Sequence, residues 1–308
     1  MQSDQNVTEV SGCVLALDVG GSAVKSGLVF WDGRIAELAP AAVDSSASAR
    51  VIVRALAEVL SAGLRAAEAP VCGIGVAIPG PFDYARGVSL MTHKFSALKD
   101  LPLGESLRAA VPEAAGLPFR FMHDANAFLA GEMWRGAGRG LCRCLGVTLG
   151  TGIGVSCRFD GVFRVNALGS PASEVSVWSR PYKGGTVEDA VSTRGLVSRY
   201  RLVRPEYPVG DGAKGIADAA RRGDAEAGRI FAELGEDLAA VLLPVCERFR
   251  PERIIFGGRI ANDFALFETP LNAALARRAG SPLAVSSELG GRAALLGAAG
   301  GLFGGVMD

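Results

Sequence analysis

From residue 13 onward the apolar positions alternate between two periods. Val14–Val19, Val24–Phe30 and Arg34–Leu38 are short apolar or alternating runs that predict strands, with Asp32-Gly33 as the tight turn between the last two. Ser46 to Ala69 changes to helical spacing through Val51, Leu56, Val59, Leu60 and Leu64, and Ser45-Ser46 is placed to cap it. Val71–Ile78 reads as a buried strand ending at Pro79-Gly80-Pro81, and Phe82 to Leu101 as a loop. A short helix over Leu103–Ala110, a strand over Phe119–Met122 and a helix running to about Trp134 follow.

The pattern then restarts. Leu145–Leu149 predicts a strand broken at Gly150-Thr151-Gly152-Ile153-Gly154, followed by strands at Val155–Phe159 and Val162–Val165 around an Asp160-Gly161 turn. This strand, glycine break, strand, Asp-Gly turn, strand order repeats the opening after roughly 130 residues, the sign of an internal duplication. An irregular stretch, Asn166 to Gly185, precedes predicted helices over Glu188–Tyr200, Ala213–Arg222 and Ala225–Arg248. A strand at Arg253–Phe256 ends in Gly257-Gly258, and helices over Asp263–Arg278 and Gly291–Phe303 close the chain. The plan predicts two duplicated α/β domains with a cleft between them and ligands at the carboxyl ends of strands.

Composition narrows the function. Hydrophobic residues make up 49% of the 308 and mean hydropathy is +0.27, enough for a substantial core. Lys+Arg 32 balances Asp+Glu 32, so no basic stripe argues for nucleic acid and no acidic tail for a basic partner. The six cysteines are scattered and do not have the spacing of a secreted disulfide scaffold. Cys142-Arg-Cys144 is a conceivable metal pair, but no Cys or His follows at ligand spacing. Residues 1–12 read as a disordered lead-in without an apolar signal core, and no run reaches membrane-spanning length, so a cytoplasmic location is expected.

Glycine is abundant, 41 residues, and three clusters fall at strand ends: Gly20-Gly21-Ser22 after Asp18, Gly150-Thr151-Gly152, and Gly257-Gly258. Glycine lets backbone amides approach an anion closely, and Ser22 and Thr151 add hydroxyl donors. The chain has no G-x-x-x-x-G-K-[ST] and no G-x-G-x-x-G opening a helix, which excludes a P-loop and argues against a Rossmann site. A carboxylate at Asp18 beside phosphate-binding amides needs a bridging cation, which points to Mg²⁺ held through water. Lys25 fits both a phosphate neighbour and an exposed strand lysine. Asp124, between a strand and a helix, fits a helix N-cap on local grounds alone.

The Asp-x-Gly-Gly-Ser hairpin, the second Gly-Thr-Gly hairpin and the late Gly-Gly resemble the sugar-kinase, actin and heat-shock-chaperone ATPase fold. Within it the chain is similar to the ROK family. Gly73 to Pro81, Asp124-Ala-Asn126 with Gly131-Glu132, Leu149 to Gly154, Ser173-Glu174, Glu188 to Leu196 and Ile255 to Gly258 match in family order over essentially the whole chain. The resemblance implies two actin-like (ribonuclease H-like) domains, residues 13–124 with 290–308 and residues 125–289, the second carrying the adenosine site. It implies an ATP- and Mg²⁺-dependent sugar kinase with Asp124 as catalytic base, orienting an acceptor hydroxyl and taking its proton. Glu174 and Glu188 match glutamates that read sugar hydroxyls, although a loop acid and a first-turn helix acid are the plain alternatives. Gly80 falls in the same expected pocket.

The chain departs from the family's pattern in places that bear on substrate. His123 stands where an Asn usually precedes the base, and Thr92-His93-Lys94 where a sugar-binding Asn often lies. Ser176-Val177 replaces a Gly-His pair, and Trp178–Thr186 lacks the zinc-binding cysteines, so no zinc site is expected. His93, Lys94 and His123 are therefore candidate substrate contacts. The altered readers favour a hexose, an amino sugar or a C7-cyclitol acceptor, with glucokinase proper and a catalytically weak sugar-binding homologue as alternatives. The family's repressors carry a DNA-binding domain before the first hairpin; with about a dozen polar residues there and zero net charge, a repressor is not expected. A homodimer is the family-based expectation.

Overall fold

The computed structural model describes residues 12–277 and 282–303. The expected lead-in, apart from Gly12, and the last five residues lie outside that range.

The first half opens with an antiparallel meander, β1 (Cys13–Val19), β2 (Ala23–Phe30) and β3 (Ile35–Ala42). Helix α1 (Ala49–Ala66) leads to β4 (Val71–Ile78), parallel to β1. A small hairpin, β5 (Phe82–Asp83) and β6 (Val88–Ser89), lies in the stretch expected to be a plain loop. Helix α2 (Leu103–Ala110) precedes β7 (Phe119–His123), which runs straight into α3 (Asp124–Arg135). The second half repeats the meander as β8 (Cys144–Leu149), β9 (Ile153–Phe159) and β10 (Val162–Phe163). After a two-stranded ribbon, β11 (Pro181–Tyr182) with β12 (Gly185–Thr186), come α4 (Val187–Val191), α5 (Thr193–Val203), α6 (Gly212–Arg221) and α7 (Ala225–Phe249). The chain finishes β13 (Arg253–Gly257), α8 (Glu268–Ala276), β14 (Leu283–Ser286) and α9 (Ala293–Gly300).

Two five-stranded sheets result, in the orders β3-β2-β1-β4-β7 and β10-β9-β8-β13-β14. The orders correspond position for position: three antiparallel strands, then two parallel ones. This is the duplication that the hydrophobic pattern predicts. The β4 and β13 runs are buried along most of their length, as parallel central strands must be.

Each sheet has its own core. Leu15, Leu17, Ile74 and Val76 pack with Ile52, Leu56 and Leu60 of α1 on one face of the first sheet. Val14, Ala16 and Val29 on its other face meet Leu295, Leu296 and Ala299 of α9. Leu145, Val147 and Phe256 pack with the helices that follow the second meander, while Cys144 and Ile255 face Phe128 and Leu129 of α3. Helices α3 and α9 pack directly on each other and so join the halves.

Several local expectations change. The buried face of α1 uses Ile52, Leu56, Val59, Leu60 and Gly63, and Val51 is exposed, because helical spacing back from Leu56 reaches Ile52. Ser45-Ser46 does not cap α1: the Ser46 amide and hydroxyl bond to Asp44, and the helix starts after Ser48 with no side-chain cap. The helix expected over Glu188–Tyr200 breaks at Ser192, whose ψ of 171° is extended. The helix expected over Asp263–Arg278 becomes a 3₁₀ segment, Ile260–Leu266, kinked at Asp263, and then α8. Pro270 sits in the first turn of α8, where a missing N–H is tolerated; further into a longer helix it would break the ladder. Strand β14 lies in a stretch where no element was expected.

Candidate active site

Asp18 is the last-but-one residue of β1 and pairs with Ala77 of β4, which in turn pairs with Met122 of β7. Asp124 follows two residues later at the start of α3. The two carboxylates therefore lie at the same carboxyl edge of one sheet, two strand spacings apart, roughly 10 Å. Asp18 shares its face with Val14 and Ala16, the face covered by α9. Lys25 is its neighbour on β2, and a Cβ on Gly291, just before α9, would lie 3.0 Å from the Lys25 Nζ.

The Asp18 carboxyl is enclosed, and burial together with the nearby Asp124 charge pushes it up to about 6, with Lys25 pulling the other way. Among the described residues no group donates a hydrogen bond to it. A partly buried carboxylate left without a donor fits a site completed by a cation.

Asp124 is the first residue of α3, and His123, not Asp124, holds the N-cap position. Asp124 Oδ1 accepts the Ala125 amide at 2.8 Å and lies 2.9 Å from His123 Nδ1. His123 Nδ1 is also 3.2 Å from the Ala125 amide. Enclosure raises the Asp124 proton affinity, but the His123 charge and hydrogen bond, the Ala125 amide and Lys94 outweigh it, leaving the carboxyl below its ordinary value. Lys94 runs over the first glycine hairpin, its Cδ 3.6 Å from where a Gly21 Cβ would stand. Its charge also bears on Asp124. His93 is exposed, and the structure gives it no hydrogen bond with either acid.

The first hairpin closes through the Gly20 amide and the Ala23 carbonyl at 2.9 Å, and Gly21 and Ser22 form its tip. The second closes through the Gly150 amide and the Gly152 carbonyl at 3.0 Å, with Thr151 exposed at its tip. Two residues from the α4–α5 region anchor it. Thr193 donates its amide and its hydroxyl to the Gly150 carbonyl at 2.8 and 3.0 Å, which explains the break at Ser192. The Ile153 amide donates to Glu188 Oε2 at 3.3 Å, and Gly152 leaves the space that this oxygen fills. Gly154 packs on Ala125, so the second hairpin lies beside the residue following the base. Gly257 makes room for the Phe128 ring, and Gly258, with φ +87°, passes the Leu149 carbonyl where any side chain would collide.

Sequence reasoning did not find the residues that hold the pocket wall. The buried Tyr84 donates its hydroxyl to the Ile78 carbonyl at 3.0 Å and stands edge-on to the His123 ring, centroids 5.9 Å apart. Burial, then the Asp124 charge, pushes its phenol far above the ordinary value against a hydrogen bond from Ser170, so it stays neutral. Its amide bonds the Leu168 carbonyl at 3.1 Å. Asn126, also buried, donates to the Gly169 carbonyl at 3.1 Å and accepts from the Ser156 hydroxyl at 2.6 Å. A Gly80 Cβ would lie 3.3–3.4 Å from Ser170, Tyr84 and His123, so Gly80 is part of the same wall. The Glu174 carboxylate accepts from Ser173 at 3.4 Å and has no hydrogen bond with the base.

Val177, in the position of the family's histidine, is 1% exposed within the second core. The Trp178–Thr186 stretch ends in the β11–β12 ribbon. Among the described residues no group of three His, Cys, Asp or Glu is placed to hold a metal; Cys142 is exposed and Cys144 is buried. A groove of about 490 Å³ lies on α1, lined by Arg50, Arg54, Glu58 and Arg65, and shares no residue with this site. No helix among the described residues is long and apolar enough to cross a membrane.

Two duplicated sheets with glycine hairpins at their carboxyl edges and a helix pair between them define the actin-like two-domain class. A family-wide sequence model described as ROK family matches residues 14–304, and the chain belongs to that family. It is similar to a glucokinase of Thermotoga maritima, 29% identical over 276 residues, 84% of this chain and 85% of the relative. A β-glucoside kinase of Listeria monocytogenes is 30% identical over 258 residues, 81% of this chain and 83% of the relative. Among solved structures, a ROK family glucokinase from Streptomyces griseus in complex with glucose and AMPPNP superposes with a TM-score of 0.78 at 28% identity, covering 94% of this chain and 98% of that one.

Proposed function

We propose that the chain is an ATP-dependent phosphotransferase acting on a primary hydroxyl of a hexose or hexose-like ring: a sugar, an amino sugar or a C7-cyclitol. One observation carries the reading. Two carboxylates, Asp18 with no hydrogen-bond donor among the described residues and Asp124 held by donors, share one sheet edge beside two glycine hairpins. The kinase relatives, and the AMPPNP and glucose held by the Streptomyces griseus structure, support it.

Asp124 Oδ1 is taken by the Ala125 amide and His123, so Oδ2 is the oxygen left to accept the proton of an acceptor hydroxyl. Its lowered proton affinity keeps it ionised at neutral pH, ready to orient that hydroxyl. With the Gly20 and Gly150 amides closing the two hairpins, the backbone amides of Gly21, Ser22, Thr151 and Gly152, with Gly257-Gly258, line the path for phosphates, and Lys25 and Lys94 offset their charge. Thr193 and Glu188 hold the second hairpin still. Asp18 would hold Mg²⁺, which would supply neutralisation of the transferring and leaving oxygens. We also propose Glu174, the free Oε1 of Glu188, His93, His123 and the Gly80 backbone as the groups that meet the acceptor. We further propose domains 13–124 with 290–308 and 125–289, a homodimer, and a cytoplasmic location.

A coupled assay of ADP release with Mg²⁺-ATP over glucose, mannose, N-acetyl sugars, amino sugars and cyclitols tests the reading. Turnover on at least one is expected. No turnover on any, with a panel sugar still binding by calorimetry, would establish the non-catalytic sugar-binding alternative instead.

A further inference from the structure

We propose that His123 is a positioning residue for Asp124: its Nδ1–H holds Oδ1 so that Oδ2 alone meets the acceptor. The role rests on Asp124 being the base of phosphoryl transfer. Three atoms meet here with two protons to share. Asp124 Oδ1 lies 2.8 Å from the Ala125 amide and 2.9 Å from His123 Nδ1, and Nδ1 is 3.2 Å from the same amide. Nδ1 cannot both accept the amide proton and donate to the carboxylate. The shorter amide contact goes to Oδ1, and two bare acceptors 2.9 Å apart would repel. The consistent assignment puts a proton on Nδ1, with Oδ1 accepting from both nitrogens.

The ring is fixed from the other side. A methyl at Gly80 would stand 3.4 Å from His123 Cδ2, and the neutral Tyr84 ring meets it edge-on. The charged groups bearing on the pair are Asp124 itself, with Lys94 and Asp18 acting on its carboxylate. An Asn in this place would carry its amide nitrogen as far from Cβ as Nδ1 is. It could therefore supply the same donor to Oδ1, whereas the His123 ring also packs against Gly80 and Tyr84.

Two readouts test the role. The chain has two histidines, so long-range ¹H–¹⁵N spectra of the full chain and of His93→Gln assign the His123 ring. At pH 7.5 the Nδ1–H form is expected, with resonances that move in Asp124→Asn; an Nε2–H ring with bare Nδ1 overturns the proposal. In kinetics, His123→Phe should lower kcat by roughly 10–100-fold, the scale of a lost charge-assisted hydrogen bond, with KM changed less than about threefold. His123→Asn should recover most of that loss. Full kcat in His123→Phe, or equal losses in both variants, overturns it. Absence of turnover in the unaltered chain defeats the kinase reading instead, and the ring spectrum still decides the hydrogen bond.

Discussion

Gly131 of α3 and Gly297 of α9 face the partner helix's backbone reciprocally: a Cβ on Gly131 would strike the Ala293 carbonyl, and one on Gly297 the Ala127 carbonyl. The two helices follow the last strands of their respective sheets, so the duplication is preserved at the joint. Buried Glu132, one residue along, adds a polar tie, accepting the Ala137 amide at 2.8 Å, the Leu289 amide at 3.0 Å and the Ser287 hydroxyl.

Gly297→Ala should therefore force the helices apart. Overpacking of this kind costs about 1–3 kcal/mol, which for a chain of this size lowers Tm by roughly 1.5–5 °C. Gly228→Ala is the control of opposite sign. Its Cβ meets nothing within 4 Å in α7, and replacing a helical glycine should stabilise by about 0.5–1 kcal/mol. Thermal unfolding of both variants checks this; equal Tm values would mean that the α3–α9 contact is looser than its geometry.

Asp18→Asn should stabilise the metal-free protein at neutral pH while removing Mg²⁺-dependent turnover. The folded carboxyl is raised from 3.8 to about 6, so between those pH values the native state holds a proton that the unfolded state has lost. Stability of the unaltered chain thus falls as pH rises through this window, by up to about 3 kcal/mol. The Asn variant escapes that loss. Its advantage should be absent below about pH 4 and complete above about pH 6. Denaturant unfolding of both proteins at pH 4, 5, 6 and 7.5 in EDTA measures it, and an advantage over the unaltered chain no larger at pH 7.5 than at pH 4 would refute the account.

What was legible in the sequence is what short-range pattern encodes. The meanders, the glycine hairpins and both central parallel strands follow from apolar runs cut by Gly and Asp-Gly. Strand β14 escaped because LAVS is four residues long, with one fully buried position, Ala284. The break at Ser192 escaped because its cause is a contact with Gly150, 43 residues before Thr193. Tyr84 and Asn126 escaped likewise: their partners, Leu168 and Gly169, lie across the chain. Local spacing carries no trace of such contacts. Lys94 was expected at the substrate and lies over Gly21 as well, a placement set by the fold of residues 91–95 against Ser45.

Val177→His should destabilise the protein without creating a zinc site. The side chain sits in the apolar core with Val175, Val187 and Val191, and an unpartnered imidazole there costs about 1–3 kcal/mol. Elemental analysis of the purified variant should give no stoichiometric zinc, and Tm should fall. One zinc per chain would show that ligands outside this region approach it.

Asp124→Asn is the sharpest test of the site. The amide keeps the volume and can still accept the Ala125 N–H through its oxygen, so fold and ligand binding should persist. What it loses is the charge that orients an acceptor hydroxyl and the capacity to take its proton. General-base contributions of this kind are worth about 10²–10⁴ in rate, and kcat should fall by that factor with KM for both substrates near its original value. Because the carboxamide has no proton to lose in the accessible pH range, raising the pH should not rescue the variant. An active Asp124→Asn would remove Asp124 as base, and a variant that loses affinity in place of rate would make Asp124 a binding group alone.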